Sequence, residues 1–161
     1  MYSAKYTYEL ESSLEELIPT VHRQGFLTKE QLLTLGRWKS SRISDHLVKN
    51  SEELVQETTA LALVTKSVRL APQILMALDG VGLPMASTLL HWCHKDPFPI
   101  LDFRALWSLG IEMPGSYSLA FWESYVTQWR EVQTEWGCDK RELDRALWQY
   151  SKEHQPQSPA T

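Results

Sequence analysis

The sequence predicts an all-α fold, a single compact multi-helix domain, and three observations carry that prediction. Helix-starting signals of the Ser/Thr/Asp type recur along the chain, apolar residues between them repeat at helical spacing, and glycines close several of the resulting segments. No stretch reads as a strand, no internal repeat is present, and no linker divides the 161 residues. That length and a 43% hydrophobic content suit one domain with a real core. The domain is expected over residues 1–152, with residues 153–161 a polar, flexible tail.

In chain order, Ser13-Leu14-Glu15-Glu16 has the form of a capping box and opens a helix toward Gly25. Thr28 to Gln31 repeats the signal ahead of Leu32, Leu33 and Leu35. A short helix is expected around Ile43 to Val48, and Ser51 starts another through Leu54, Leu61 and Val64. Val68 to Leu78 forms the next, and Pro84 to Trp92 resumes after an interruption. Pro97 and Pro99 mark an extended connection before a helix over Asp102 to Leu109. A long helix from Ser118 to Trp136 ends at Gly137, and its Trp122, Trp129 and Trp136 recur every seven residues as a buried packing stripe. Asp139 to Glu142 caps the last helix, through Leu143, Ala146, Leu147 and Tyr150.

Charge and composition narrow the function classes. A net charge of −4 weighs against a protein whose main work is coating nucleic acid, although it permits a local basic patch. Two cysteines are too few for a disulfide framework or a four-thiolate cluster. The N-terminal MYSAKYTYEL lacks the apolar stretch of a secretory signal, and no run reaches membrane-spanning length, so a cytoplasmic protein without membrane contact is expected.

The interruption is LDGVGLPMA, Leu78 to Ala86. Glycine costs about 1 kcal/mol against alanine inside a helix, so two glycines around a valine signal a backbone need. Gly80 suits the left-handed residue that ends a helix. Val81 plugs the space between two helices, and Gly82 leaves the backbone open to close approach. Pro84 sits in the first turn of the next helix, where its missing N–H costs nothing. Free N–H groups at that helix start favour an anion such as phosphate. Leu75, Leu78, Gly80, Val81, Gly82, Ala86 and Leu89 thus spell a helix-hairpin-helix pattern over residues 71–92. A tight turn that touches no ligand explains the glycines equally well.

Twenty positions beyond Gly82, Asp102 stands in the apolar run FPILDFRALW, ahead of Leu109-Gly110. With the hairpin, this stretch from Leu75 to Gly110 resembles the helix-hairpin-helix DNA glycosylase superfamily, the endonuclease III-like base-excision enzymes, as a short divergent member. The resemblance implies a DNA-glycosylase-like fold and DNA as partner. It implies a base-excision repair hydrolase of N-glycosidic bonds with Asp102 as catalytic carboxylate and Gly80, Val81 and Gly82 as the phosphate grip. Family members that also cleave the backbone through a Schiff base carry a lysine two residues after the second glycine. Pro84 stands there instead, so no lyase activity by that route is expected. Asp79 replaces the family's frequent proline before the glycines, and Phe103-Arg104 follow the aspartate in place of Thr-His. An aspartate in this position is also a good helix N-cap, a role compatible with the catalytic one.

Breaking an N-glycosidic bond builds positive charge on the sugar, and a carboxylate stabilises that charge or activates water. The base must leave the stack and enter a pocket. Trp38, Lys39 and Arg42, in the GRWKSSR segment, form the densest basic patch with an aromatic and are candidates for DNA contact. Arg104 is a candidate to bind phosphate or orient Asp102. His91 and His94 in HWCH lack further ligands nearby, so no metal is expected, and no cofactor fingerprint is visible. Two classes remain open: a monofunctional glycosylase, or a non-catalytic nucleic-acid-binding or protein-interaction module on the same fold. An open cleft at Asp102 beside basic residues is the mark of the first.

Overall fold

A computed structural model describes residues 2–6 and 11–156. Among them every regular element is helical. A 3-10 turn at Tyr2–Lys5 precedes α1 (Glu11–Gln24), α2 (Lys29–Lys39), α3 (Ser44–Leu47), α4 (Glu52–Val64) and α5 (Leu70–Leu75). Then follow α6 (Leu83–Cys93), α7 (Phe103–Ser108), α8 (Leu119–Trp136) and α9 (Lys140–His154). No described helix is long and apolar enough to cross a membrane.

The starts follow the caps written in the sequence. Thr28 and Gln31 form a complete capping box on α2, and Ser51, Asp102, Ser118 and Asp139 each accept main-chain N–H groups at the head of α4, α7, α8 and α9. Gly137 closes α8 at φ +60°. Four expectations need correction. The first helix already runs at Glu11, so Ser13 lies within its first turn; buried Glu11 is fixed there by ion pairs to Arg141 and Arg145 on α9. The helix expected over Val68 to Leu78 is regular only over α5, after which the chain turns. The tryptophan stripe holds for two of its three members: Trp122 and Trp129 are fully buried, whereas Trp136, the last residue of α8, is 59% exposed. The last helix runs on to His154, beyond the expected boundary at residue 152, and Glu153 pairs with Lys5 of the first turn. Most of the rest of that segment, residues 157–161, lies outside the described residues.

Helix α6 is the axis of the packing. Ten of its residues are buried, Ser87, Thr88 and His91 among them, so it is enclosed on all sides rather than along one stripe, and α1, α2 and α5 pack against it. The extended segment after it is pinned by α8 and α9: Tyr125 donates to the Ile100 carbonyl at 2.8 Å, Arg130 to that of Pro97 at 2.8 Å, and Lys140 to that of His94 at 2.8 Å. These bonds satisfy main-chain oxygens that no strand or helix partners. They also fix the residue that follows, Asp102.

Candidate functional site

The turn between α5 and α6 is built as its glycines require. Gly80 has φ +81°, a left-handed conformation that side chains resist. A Cβ there would also meet His46 Cβ at 2.7 Å and the Leu47 nitrogen at 3.2 Å. Val81 is 6% exposed and joins the core, while Gly80 and Gly82 lie at the surface. Gly82 caps α6 without a side chain, and Pro84 occupies the first turn. Asn50 staples the turn: its amide donates to the carbonyls of Leu47 and Asp79, each at 3.0 Å, and its oxygen accepts from the Asp79 nitrogen at 2.8 Å. Sequence reasoning missed Asn50, since nothing local ties it to a loop 29 residues away.

Asp102 is half-buried. Its Oδ1 accepts from the main-chain nitrogens of Arg104 at 2.8 Å and Ala105 at 3.0 Å, the geometry of an N-cap. Its Oδ2 takes no hydrogen bond from any described residue. Leu101, the preceding residue, donates to Ser87 Oγ at 2.8 Å, and Ser87 donates to the Pro84 carbonyl at 2.7 Å. One side chain therefore links the approach to Asp102 with the first turn of α6.

Asp102 also lines a cavity of about 230 Å³. Trp38 and Lys39 from the end of α2 form one side, Asp144 and Trp148 from α9 another, with Tyr6 and Ile100 completing the wall. Three sequence candidates, Trp38, Lys39 and Asp102, meet here. Arg104 does not line the cavity; its guanidinium lies 5.0 Å from the Trp148 ring, and Lys152 lies 5.2 Å from the same ring. The main chain of Arg104, rather than its guanidinium, holds Asp102, which leaves phosphate contact as the other role expected of that side chain. Arg42 does not line the cavity; it is exposed in the turn between α2 and α3. Helix α3 connects the two regions, because Leu47 packs closely on Gly36 of α2 and its backbone on Gly80 of the turn.

Behind the cavity sits a buried charge cluster. Arg141 pairs with Glu11 and Asp144, and its guanidinium lies 4.8 Å from the Trp92 ring, 5.4 Å from Trp38 and 5.6 Å from Tyr6. Arg145 adds a bond to Glu11 at 2.9 Å and one to Glu15 at 2.8 Å. Burial holds the Asp144 carboxyl above the ordinary carboxylate range, against the pull of Arg141 and Lys39. Burial likewise pushes the Tyr6 phenol up to about 12. His91 is held well below its ordinary value of 6.5 by burial first, then by Arg141 and Lys140. A neutral His91 donates from Nδ1 to the Phe98 carbonyl at 2.7 Å and leaves Nε2 to accept from Arg141 at 3.4 Å.

His94 is similarly engaged, with the Thr65 carbonyl at 3.0 Å and the Asp96 nitrogen at 2.9 Å. Among the described residues no group of three or more His, Cys, Asp or Glu is placed to hold a metal ion. Cys93 is buried, and its thiol is pushed up to about 12, far from a nucleophile's range.

Sequence reasoning also missed Asp144 and Trp148. The available signal was a charged residue between Leu143 and Leu147 on the apolar side of α9, four residues from a tryptophan. Comparison of the chain with protein-family models, curated proteins and solved structures found no match.

Proposed function

We propose that the chain is a helix-hairpin-helix DNA-binding protein of the base-excision type, a monofunctional hydrolase of N-glycosidic bonds. The observation that carries this reading is Asp102: a carboxylate with one oxygen locked by two main-chain N–H groups and the other uncommitted, on the wall of a cavity shared with Trp38 and Lys39. A displaced base occupies the cavity and stacks on an indole. The Oδ2 atom of Asp102 stabilises the positive charge that develops on the sugar or takes a proton from the attacking water. Water adds to the sugar carbon as the glycosidic electron pair leaves with the base. Surface glycines at Gly80 and Gly82 and the uncapped start of α6 grip a phosphate of the same strand. Lys39, Arg104 and Arg42 supply attraction that the net charge of −4 does not. Pro84 offers no amine, so the abasic product stays intact.

The test is a panel of duplexes, each with one damaged base, treated with wild type or Asp102→Asn and then with alkali. Strand cleavage after alkali by the wild type alone, and none before alkali, supports the reading. Binding without base release by either protein favours the non-catalytic module, in which Asp102 serves α7 only as its cap. Equal release by both proteins removes Asp102 from the chemistry.

A further inference from the structure

Building on that reading, we propose that Asp144 and Lys39 form a base-reading pair, and that the cavity selects heterocycles carrying a ring N–H beside a carbonyl oxygen. Asp144 accepts from the N–H, Lys39 donates to the carbonyl, and the indoles of Trp38 and Trp148 flank the ring.

Lys39 is half-buried and makes no ion pair among the described residues, although two carboxylates, Asp102 and Asp144, line the same cavity. Opposite charges that share a wall without touching leave room for a ligand that bonds to both. Asp144 is fixed from behind: its Oδ2 is held by Arg141, which is itself locked by Glu11 and three aromatic rings. Its Oδ1 accepts no hydrogen bond from any described residue. That oxygen is open to the cavity, so a donor on a bound ring meets a charged acceptor already held in place from behind.

Chemistry then selects the donor. A ring N–H flanked by a carbonyl is more acidic than an exocyclic amino group, so it makes the stronger charge-assisted bond to a carboxylate. The carbonyl is a strong acceptor for an ammonium. Uracil and hypoxanthine present this edge; cytosine and adenine present an amino group beside a bare ring nitrogen. A site built around a buried hydrogen-bond partner rejects ligands lacking the matching group far better than an apolar slot does. Lys39 has a second effect in turnover. Its charge on the carbonyl draws electron density outward as the glycosidic pair moves onto the ring, which stabilises the departing base. Asp144 is thereby a specificity residue and Asp102 the carboxylate at the sugar.

Free bases test this without DNA or turnover, so it fails or stands separately from the excision reading. Quenching of tryptophan fluorescence is titrated with the 1-methyl derivatives of uracil, cytosine and 3-methyluracil (hereafter uracil, cytosine and 3-methyluracil), in which the nitrogen that carries the sugar is blocked; in the last the remaining ring N–H is blocked as well. Uracil is expected to bind the wild type at least about tenfold more tightly than either of the others. Lys39→Met, which breaks no ion pair, is expected to weaken uracil about tenfold. Asp144→Asn, checked for folding by its thermal transition, is expected to bring uracil and cytosine close together. Equal binding of uracil and 3-methyluracil, unchanged selectivity in both variants, or no binding of any base would overturn the proposal. Uracil binding by a protein that releases no base from duplexes would leave it standing and refute excision.

Discussion

Asp102 caps α7, and under the proposed function the same carboxylate also acts at the sugar; the substitutions that separate these roles differ by a single group. Asn and Asp cap helices about equally well, so Asp102→Asn is expected to leave the stability of α7 within about 0.5 kcal/mol while excision falls by about 10²-fold or more. Asp102→Ala removes the bonds to Arg104 and Ala105 and is expected to cost about 1 kcal/mol as well. Urea unfolding alongside single-turnover base release measures both. Asp102 was legible in the sequence because a carboxylate after two prolines and an apolar run is conspicuous. Asp144 was not, because its significance comes from Arg141 behind it and Lys39 across the cavity, contacts that helical spacing within α9 cannot reveal.

At the scale of elements, the caps predicted the helix starts well and the packing decided the rest. Thr28, Ser51, Ser118 and Asp139 act on N–H groups within three residues, so local sequence suffices. The first turn of α1 is set instead by ion pairs to α9 from 130 residues away, which no local pattern encodes. The α5–α6 turn combines both. Its glycines were readable, but the helix α3 that seals it and the Asn50 staple were not. Gly80→Ala combines left-handed strain with a clash on His46 and is expected to cost about 2 kcal/mol or more by urea unfolding. Asn50→Ala forfeits three bonds of a buried side chain and is expected to cost about 2–3 kcal/mol. Amide exchange at residues 79–82 should accelerate more than in α8.

Across the whole molecule, Arg141 holds the carboxylates of α1 and α9 behind the cavity. Arg141→Met strands Asp144 and leaves Glu11 with Arg145 alone, and is expected to cost about 3–5 kcal/mol in thermal or urea unfolding. The same buried region sets a pH response. His91 is held below 6.5, so the unfolded chain takes up that proton first as pH falls. Stability is therefore present above pH 6.5 and declines on acidification, with a slope approaching about 1.4 kcal/mol per pH unit. Asp144, whose carboxyl is raised, acts with the opposite sign at lower pH, where protonation favours the folded state. Unfolding midpoints between about pH 7 and pH 5 should fall for the wild type and less for His91→Asn. The central claim is that the hairpin turn and the Asp102 cavity engage one flipped nucleotide and its strand. Hydrogen exchange on a duplex bearing one damaged base on a sugar whose 2′-fluorine blocks its release tests it most directly. The account predicts simultaneous protection of amides at Val81 to Met85 and of the segment from Leu101 to Ala105, at one equivalent of duplex. Protection of only one of these segments, or of neither at saturating duplex, would contradict it.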